Sequence, residues 1–321
     1  MRGWAIFIDL QGVFGYPKAN HGGRTMIHAK SAGIQLVNSD AEAFLKGLPD
    51  DSVDLLITSP PYFVGKEYDR SSSVSDFEDE IIRTLDLVRR KIKPGGSMCW
   101  QVGYHVRDNL VVPLDVLIYN AVAKYGEFKL RNRIVWTFGH GTHSPRRFSG
   151  RHETILWFTN GDGYTFDLDS VRVPQKYPGK KHYKGPNKGE WSGNPAGKNP
   201  EDVWDIPNVK ARHVEKTDHP CQYPVGLVRR LVRALAPEGG LVIDPYMGVG
   251  STALACALEG RRFAGSEIDE RYVRIARERM KALRCGTLKL RDDRPARKPV
   301  ASESVAKAPP HFAGFEAKHG S

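Results

Sequence analysis

Cysteine is scarce in this chain of 321 residues. Its four cysteines, Cys99, Cys221, Cys256 and Cys285, lie far apart and form no CxxC pair. That excludes a zinc signature and a disulfide framework, and a reduced, cytoplasmic interior is expected. No apolar run approaches the ~20 residues of a membrane span, and the first residues lack the apolar core of a secretion signal. Acidic residues are short too: 37 Asp and Glu face 48 Lys and Arg, leaving a net charge of +11. Such a surplus suits a polyanionic partner, because each cation set on a phosphate releases a counterion. Charge alone fits a basic protein without nucleic acid equally well. The rest is ordinary: 40% hydrophobic and 26% charged residues support one α/β domain with a sizeable insertion, or two domains.

The first 32 residues are Gly-rich and irregular, and order begins at Ile34. IQLVNSD reads as a strand, AEAFLKGLPDDS as a short helix stopped by Pro49, and VDLLITSPPY as a strand entering a stiff turn. Phe77, Ile81, Leu85, Val88 and Ile92 then recur at helical spacing before a Pro-Gly stop. SMCWQVG (strand), LDVLIYNAVAKYG (helix), FKLRNRIVWTF and RHETILWFTN (strands) follow. Between Arg172 and Lys198 seven Lys/Arg and one acid are interleaved with Tyr177, Tyr183 and Trp191, without periodicity. Strand and helix alternate again from Pro224 to Leu283. Beyond Cys285 the chain is basic and aperiodic, as in a disordered tail. This alternation predicts a doubly wound, mostly parallel sheet with an irregular basic region, and ligands outside the carboxyl ends of its strands.

Two strand ends carry unusual turns that should open on one rim. In LVIDPYMGVGSTALA, Gly248 and Gly250 let the backbone turn tightly and approach a ligand. Asp244 ends the strand, where a carboxylate can accept from a cationic amine, and Glu267 ends the next strand, where an acid can take both ribose hydroxyls. The third glycine of a pyrophosphate-binding GxGxxG is missing, so a zwitterionic amino acid fits better. A tight connection without ligand is the bland alternative; the strand-Asp-GxG-helix-strand-Glu series outweighs it. In Ser59-Pro60-Pro61-Tyr62 two prolines stiffen the backbone. The Ser59 hydroxyl and the Pro60 carbonyl can each accept from one NH₂, directing its lone pair at an electrophilic methyl, while Tyr62 offers a stacking platform. There is no Pro-Cys nucleophile, as direct displacement requires none. A proline pair alone is more often a loop breaker, but beside the cofactor turn it is not.

Together the turns resemble the β class of S-adenosylmethionine-dependent DNA amino-methyltransferases, in which [DNS]PP[YFW] precedes the target-recognition region and then the cofactor motif. The resemblance runs from about Val37 to Met280. It implies a Rossmann-like methyltransferase fold acting on double-stranded DNA, with an N-terminal extension at 1–32, a catalytic half at 33–138, target recognition at 139–218, a cofactor half at 219–284 and a tail at 285–321. It implies that Asp244, Tyr246, Met247, Gly248, Gly250, Ser251 and Thr252 surround the methionine part, that Glu267 holds the ribose and that Asp40 sits near the adenine. HPCQYP resembles the segment leading the cofactor helix and adds His219 and Gln222, with Tyr223 where Lys is usual. Related enzymes often pair, so a homodimer is implied as well. An SPPY turn is commoner among N4-cytosine enzymes; NRIVW, RHETILWF, YTFDLDSVRVP and GKNPEDVWDIP look like segments of N6-adenine enzymes. The longer segments favour adenine.

A base within a duplex must be flipped out, at roughly a few kcal/mol. Arg146, Arg147 and Arg151 are candidates to hold the distorted backbone, with Lys180, Lys181 and Lys184 on phosphates. For any single lysine a solvated surface position is as good a reading. His140, His143 and His152 lack fixed metal-ligand spacing and read as polar loop or phosphate contacts, so no metal is expected. A nucleotide-dependent dehydrogenase would leave SPPY and the basic region unexplained. A DNA-binding module without catalysis would not need Ser59, Tyr62 and Asp244 together. An RNA or protein methyltransferase is disfavoured by the long region between the motifs.

Overall fold

In the VDLLIT strand alternate residues face opposite ways, and both ways are apolar, which requires layers on both sides of a sheet. The computed structural model has that arrangement; it describes residues 33–61, 74–107, 109–139, 141, 143–293 and 302. The elements run β1 (Ile34–Asn38), α1 (Ala41–Lys46), β2 (Val53–Thr58), α2 (Val74–Lys91), β3 (Ile92–Val102), β4 (His105–Arg107), β5 (Leu110–Val112) and α3 (Leu114–Ala123). They continue with β6 (Phe128–Thr137), β7 (His152–Asn160), β8 (Val203–Asp205), α4 (Val225–Leu235), β9 (Leu241–Asp244), α5 (Ser251–Leu258), β10 (Arg262–Glu267) and α6 (Glu270–Arg284). Eight strands form one sheet in the order β1-β10-β9-β2-β3-β7-β6-β8, and β4 and β5 pair separately. All its neighbours are parallel except at β3–β7 and β7–β6.

Two apolar cores follow from the pleat. Leu55 and Ile57 of β2 join Val242 of β9 in the core beneath α4, α5 and α6. Leu56 and Ile243 face the other core, with Phe44 of α1, Ile81 of α2 and Ile118 of α3. The apolar series expected on α2 is buried as its spacing predicts: Phe77, Ile81, Leu85 and Val88 are at most 3% exposed. No described helix is long and apolar enough to cross a membrane.

Three expectations change. The KPGG segment does not simply end a helix. It enters β3, where the pairing with β2 shifts register between Val53 and Leu55, and Gly95 takes a left-handed φ of 79°. Target recognition does not occupy all of 139–218, because β7 lies inside the sheet between β3 and β6 with Thr154–Thr159 buried, and β8 extends its edge. The tail does not begin at Cys285. Leu288 and Leu290 pack on the α4–α6 core, Arg291 N donates to Glu215 Oε1 at 3.1 Å, and Asp293 pairs with Arg230 at 2.9 Å. Two leucines and two polar anchors hold what its charge made look aperiodic. The extension at 1–32 lies outside the described residues, as does the tail from 294 apart from Ser302.

Candidate active site

Because β2 and β9 are parallel neighbours, the serine-proline turn and the glycine turn leave the sheet side by side. A bond ties them: Thr58 Oγ1, the last residue of β2, donates to Asp244 Oδ1 at 3.1 Å. Between and above them lies a cavity of about 1030 Å³. Ser59, Pro60 and Pro61 line one part, and Tyr246, Met247, Gly248 and Ser251 another. Glu267, His219, Gln222 and Asp40 also contribute to its wall, so most residues singled out from the two motifs meet around one space. Tyr62 lies outside the described residues.

The glycine turn owes its form to two left-handed residues, Gly248 (φ 52°) and Gly250 (φ 76°). A Cβ on Gly248 would stand 3.3 Å from His219 Nε2, and the His219 ring packs edge-on against Tyr272 at 4.5 Å between centroids. Gly248 N donates to Glu267 Oε2 at 3.1 Å, and Asp269 N to Glu267 Oε1 at 2.8 Å. Burial raises the Glu267 carboxyl above its ordinary value, opposed by those two backbone donors. Gly250 serves packing rather than the wall: a Cβ there would meet Ala276 Cβ of α6 at 3.0 Å.

Asp244 differs most from its expected role. It is fully buried and absent from the cavity wall, and both oxygens are engaged. Oδ1 accepts from Thr58 and from Tyr246 N at 3.1 Å; Oδ2 accepts from Tyr223 Oη at 2.9 Å and Thr252 Oγ1 at 2.7 Å. Desolvation pushes its pKa up to about 6, although all four donors pull the other way. It is a knot beneath the site, joining β2, the glycine turn, α5 and the segment before α4. Thr252 is likewise buried and turned toward it. Tyr223, where the family usually has Lys, has its hydroxyl between Asp244 and Thr252. Desolvation, and then the adjacent carboxylate, raise that phenol well above its usual range.

Other side chains have supporting duties. Tyr246 Oη meets Thr84 Oγ1 of α2 at 3.1 Å, and burial raises its pKa. Gln222 fixes the chain before α4, donating to Glu215 O and accepting from Thr217 Oγ1, both at 2.8 Å. Asp40 caps α1 by accepting from Ala43 N at 2.8 Å, while its side chain borders the cavity. The sequence reading missed Tyr104, Phe138 and Glu153, which also line the cavity, with Gln101 donating to Glu153. Their only signal was position, at or just beyond strand ends.

Of the basic residues, Arg147 lines the cavity, whereas Arg146 and Arg151 flank it on the β6–β7 loop. Lys180, Lys181 and Lys184 are exposed and do not touch the cavity. Their segment is less irregular than expected: Val173 bridges Lys198, Lys181 bridges Trp191, and Lys181 Nζ lies 4.6 Å over the Trp191 ring. His143 is exposed, His152 borders the cavity, and His140 lies outside the described residues. Among the described residues no group of three or more His, Cys, Asp or Glu could hold a metal ion.

Sheet order, cavity and paired turns define a Rossmann-like fold of the methyltransferase type. The solved structure of the PvuII DNA methyltransferase (cytosine-N4-specific) shares it with a TM-score of 0.62, covering 80% of this chain and 93% of that one at 17% identity. That of TTHA0409, a DNA modification methylase from Thermus thermophilus complexed with S-adenosyl-L-methionine, has a TM-score of 0.55 and 28% identity, covering 79% and 97%. Residues 53–278 match the N6_N4_Mtase (DNA methylase) family model, and the type II methyltransferase M.BglII of Bacillus subtilis is 44% identical over 243 residues, 75% of this chain and 67% of its own. The chain belongs to the N6/N4 DNA methylase family.

Proposed function

We propose that this protein transfers a methyl group from S-adenosylmethionine to the exocyclic amine of a flipped base in double-stranded DNA, at a specific site. The observation that carries this reading is the Thr58–Asp244 bond, which holds the amine-binding turn and the glycine turn at one cavity. The donor set fits the cofactor. Glu267, its carboxylate oriented by two backbone N–H groups, would hold ribose hydroxyls. Gly248 and Ser251 allow close approach of the methionine part, and Asp40 borders the space left for the adenine. Asp244 would act through the turn it fixes. When bound, S-adenosylmethionine supplies an electrophilic methyl on a sulfonium.

The chain's own residues would orient the acceptor. Ser59 Oγ and the Pro60 carbonyl would accept the two N–H bonds of one amine and turn its lone pair toward the donor, with the prolines limiting backbone motion. Tyr104 and Phe138, together with Tyr62, are aromatic candidates to flank the base. Ser59 favours cytosine N4, because it lines the cavity whereas the segments that favour adenine N6 form the sheet and its supports: Trp157 and Val171 are buried in the α4–α6 core with Trp204. Those segments therefore speak more for the fold than for the base; adenine N6 is the second reading. Incubation with radiolabelled S-adenosylmethionine and duplex DNA, RNA or protein tests the substrate class. Label in DNA alone supports the proposal, and label confined to RNA or protein contradicts it.

A further inference from the structure

A phenyl ring left wholly in water is unfavourable unless a partner covers it. Phe148, on the β6–β7 loop, is 100% exposed, although its neighbour Arg147 turns into the cavity wall. The loop is braced. Phe138 N donates to Arg151 O at 3.0 Å, and Ser144 N to Ser149 Oγ at 3.0 Å. Gly150 lies so close beneath Tyr104 that a Cβ there would come within 1.2 Å of its hydroxyl. An apolar ring is thus held out at the rim of the catalytic cavity among Arg146, Arg147 and Arg151, the setting in which a chain with DNA as substrate would meet a base stack.

We infer that Phe148 is a wedge that enters the stack at the position the flipped base leaves. The inference rests on the DNA methyltransferase reading. Apolar side chains inserted between base steps offset the stacking lost when a base leaves the helix. Arg146 and Arg151 would meanwhile steady the distorted phosphates. The ring would act on flipping and not on methyl transfer, since it is absent from the cavity wall. A base already unstacked should therefore need it little.

The test uses the full chain and two synthetic duplexes carrying the site mapped in genomic DNA, one fully paired and one with an abasic position opposite the target base. Phe148→Ala should methylate the paired duplex roughly tenfold or more slowly in kcat/KM, yet stay near the unaltered rate on the abasic one. Phe148→Leu should recover most of the loss. Because the ring is wholly exposed, folding is not at stake, and unchanged cofactor affinity checks that. Equal losses on both duplexes, or none on either, would overturn the wedge. If the unaltered protein methylates neither duplex, the underlying reading fails, and the wedge with it.

Discussion

At the scale of single residues the site divides into side chains facing the cavity and side chains that hold those in place. Ser59 belongs to the first kind. Ser59→Ala should lower kcat by about tenfold to a thousandfold while leaving cofactor affinity within about twofold, as losing an interaction made to the reacting group does; equal losses in both would remove it from its role. Asp244 belongs to the second kind. Its pKa is raised from 3.8 to about 6, so the folded protein binds the extra proton more readily than the unfolded chain. The stability linked to that proton is fully present below pH 3.8 and is lost as pH rises through about 6. Urea unfolding between those values should show this slope in the native protein and its disappearance in Asp244→Asn. Tyr223→Phe deletes a hydroxyl meeting both Asp244 and Thr252, and should cost about 1–2 kcal/mol in the same measurement. The aspartate's place in the motif was legible in the sequence; its orientation was not. A carboxylate at a strand end can face ligand or core, and three of the donors that turn Asp244 inward, Thr58, Tyr223 and Thr252, come from separate parts of the chain.

At the scale of elements, sequence periodicity was sufficient where burial is one-sided or total, as in α2, β2, β9 and α6. It failed for β4, β5 and β8, each three residues long and defined by the strand beside it rather than by its own pattern. It also placed β7 in a recognition region, although its run of buried residues belongs to the sheet. The β6–β7 loop could be named only as basic, because exposure of Phe148 beside an inward Arg147 depends on backbone direction. Gly150 makes the loop's bracing testable. Gly150→Ala forces Tyr104 or the loop aside, so methylation of paired DNA should fall at least about tenfold with cofactor binding intact. An unchanged rate would show that the loop's path does not matter.

At the scale of the molecule, the +11 charge acquires a geometry. Arginines stand at the cavity rim, and Lys180, Lys181 and Lys184 lie exposed on a separate hydrogen-bonded segment. If the lysines neutralise phosphates, replacing all three by Ala should flatten the dependence of log affinity on log salt by about 1 for each phosphate given up. An unchanged slope would return them to the solvated surface. The central claim is methyl transfer to an exocyclic amine of DNA, and its most direct test is the chemical identity of the product. Genomic DNA from cells lacking other methyltransferases, with and without this protein, would be digested to nucleosides and analysed by mass spectrometry. The account predicts a new methylated amine, N4-methylcytosine ahead of N6-methyladenine, that disappears with Ser59→Ala. Methylation on a ring carbon, or no new methylated nucleoside from folded protein able to bind S-adenosylmethionine, would contradict it.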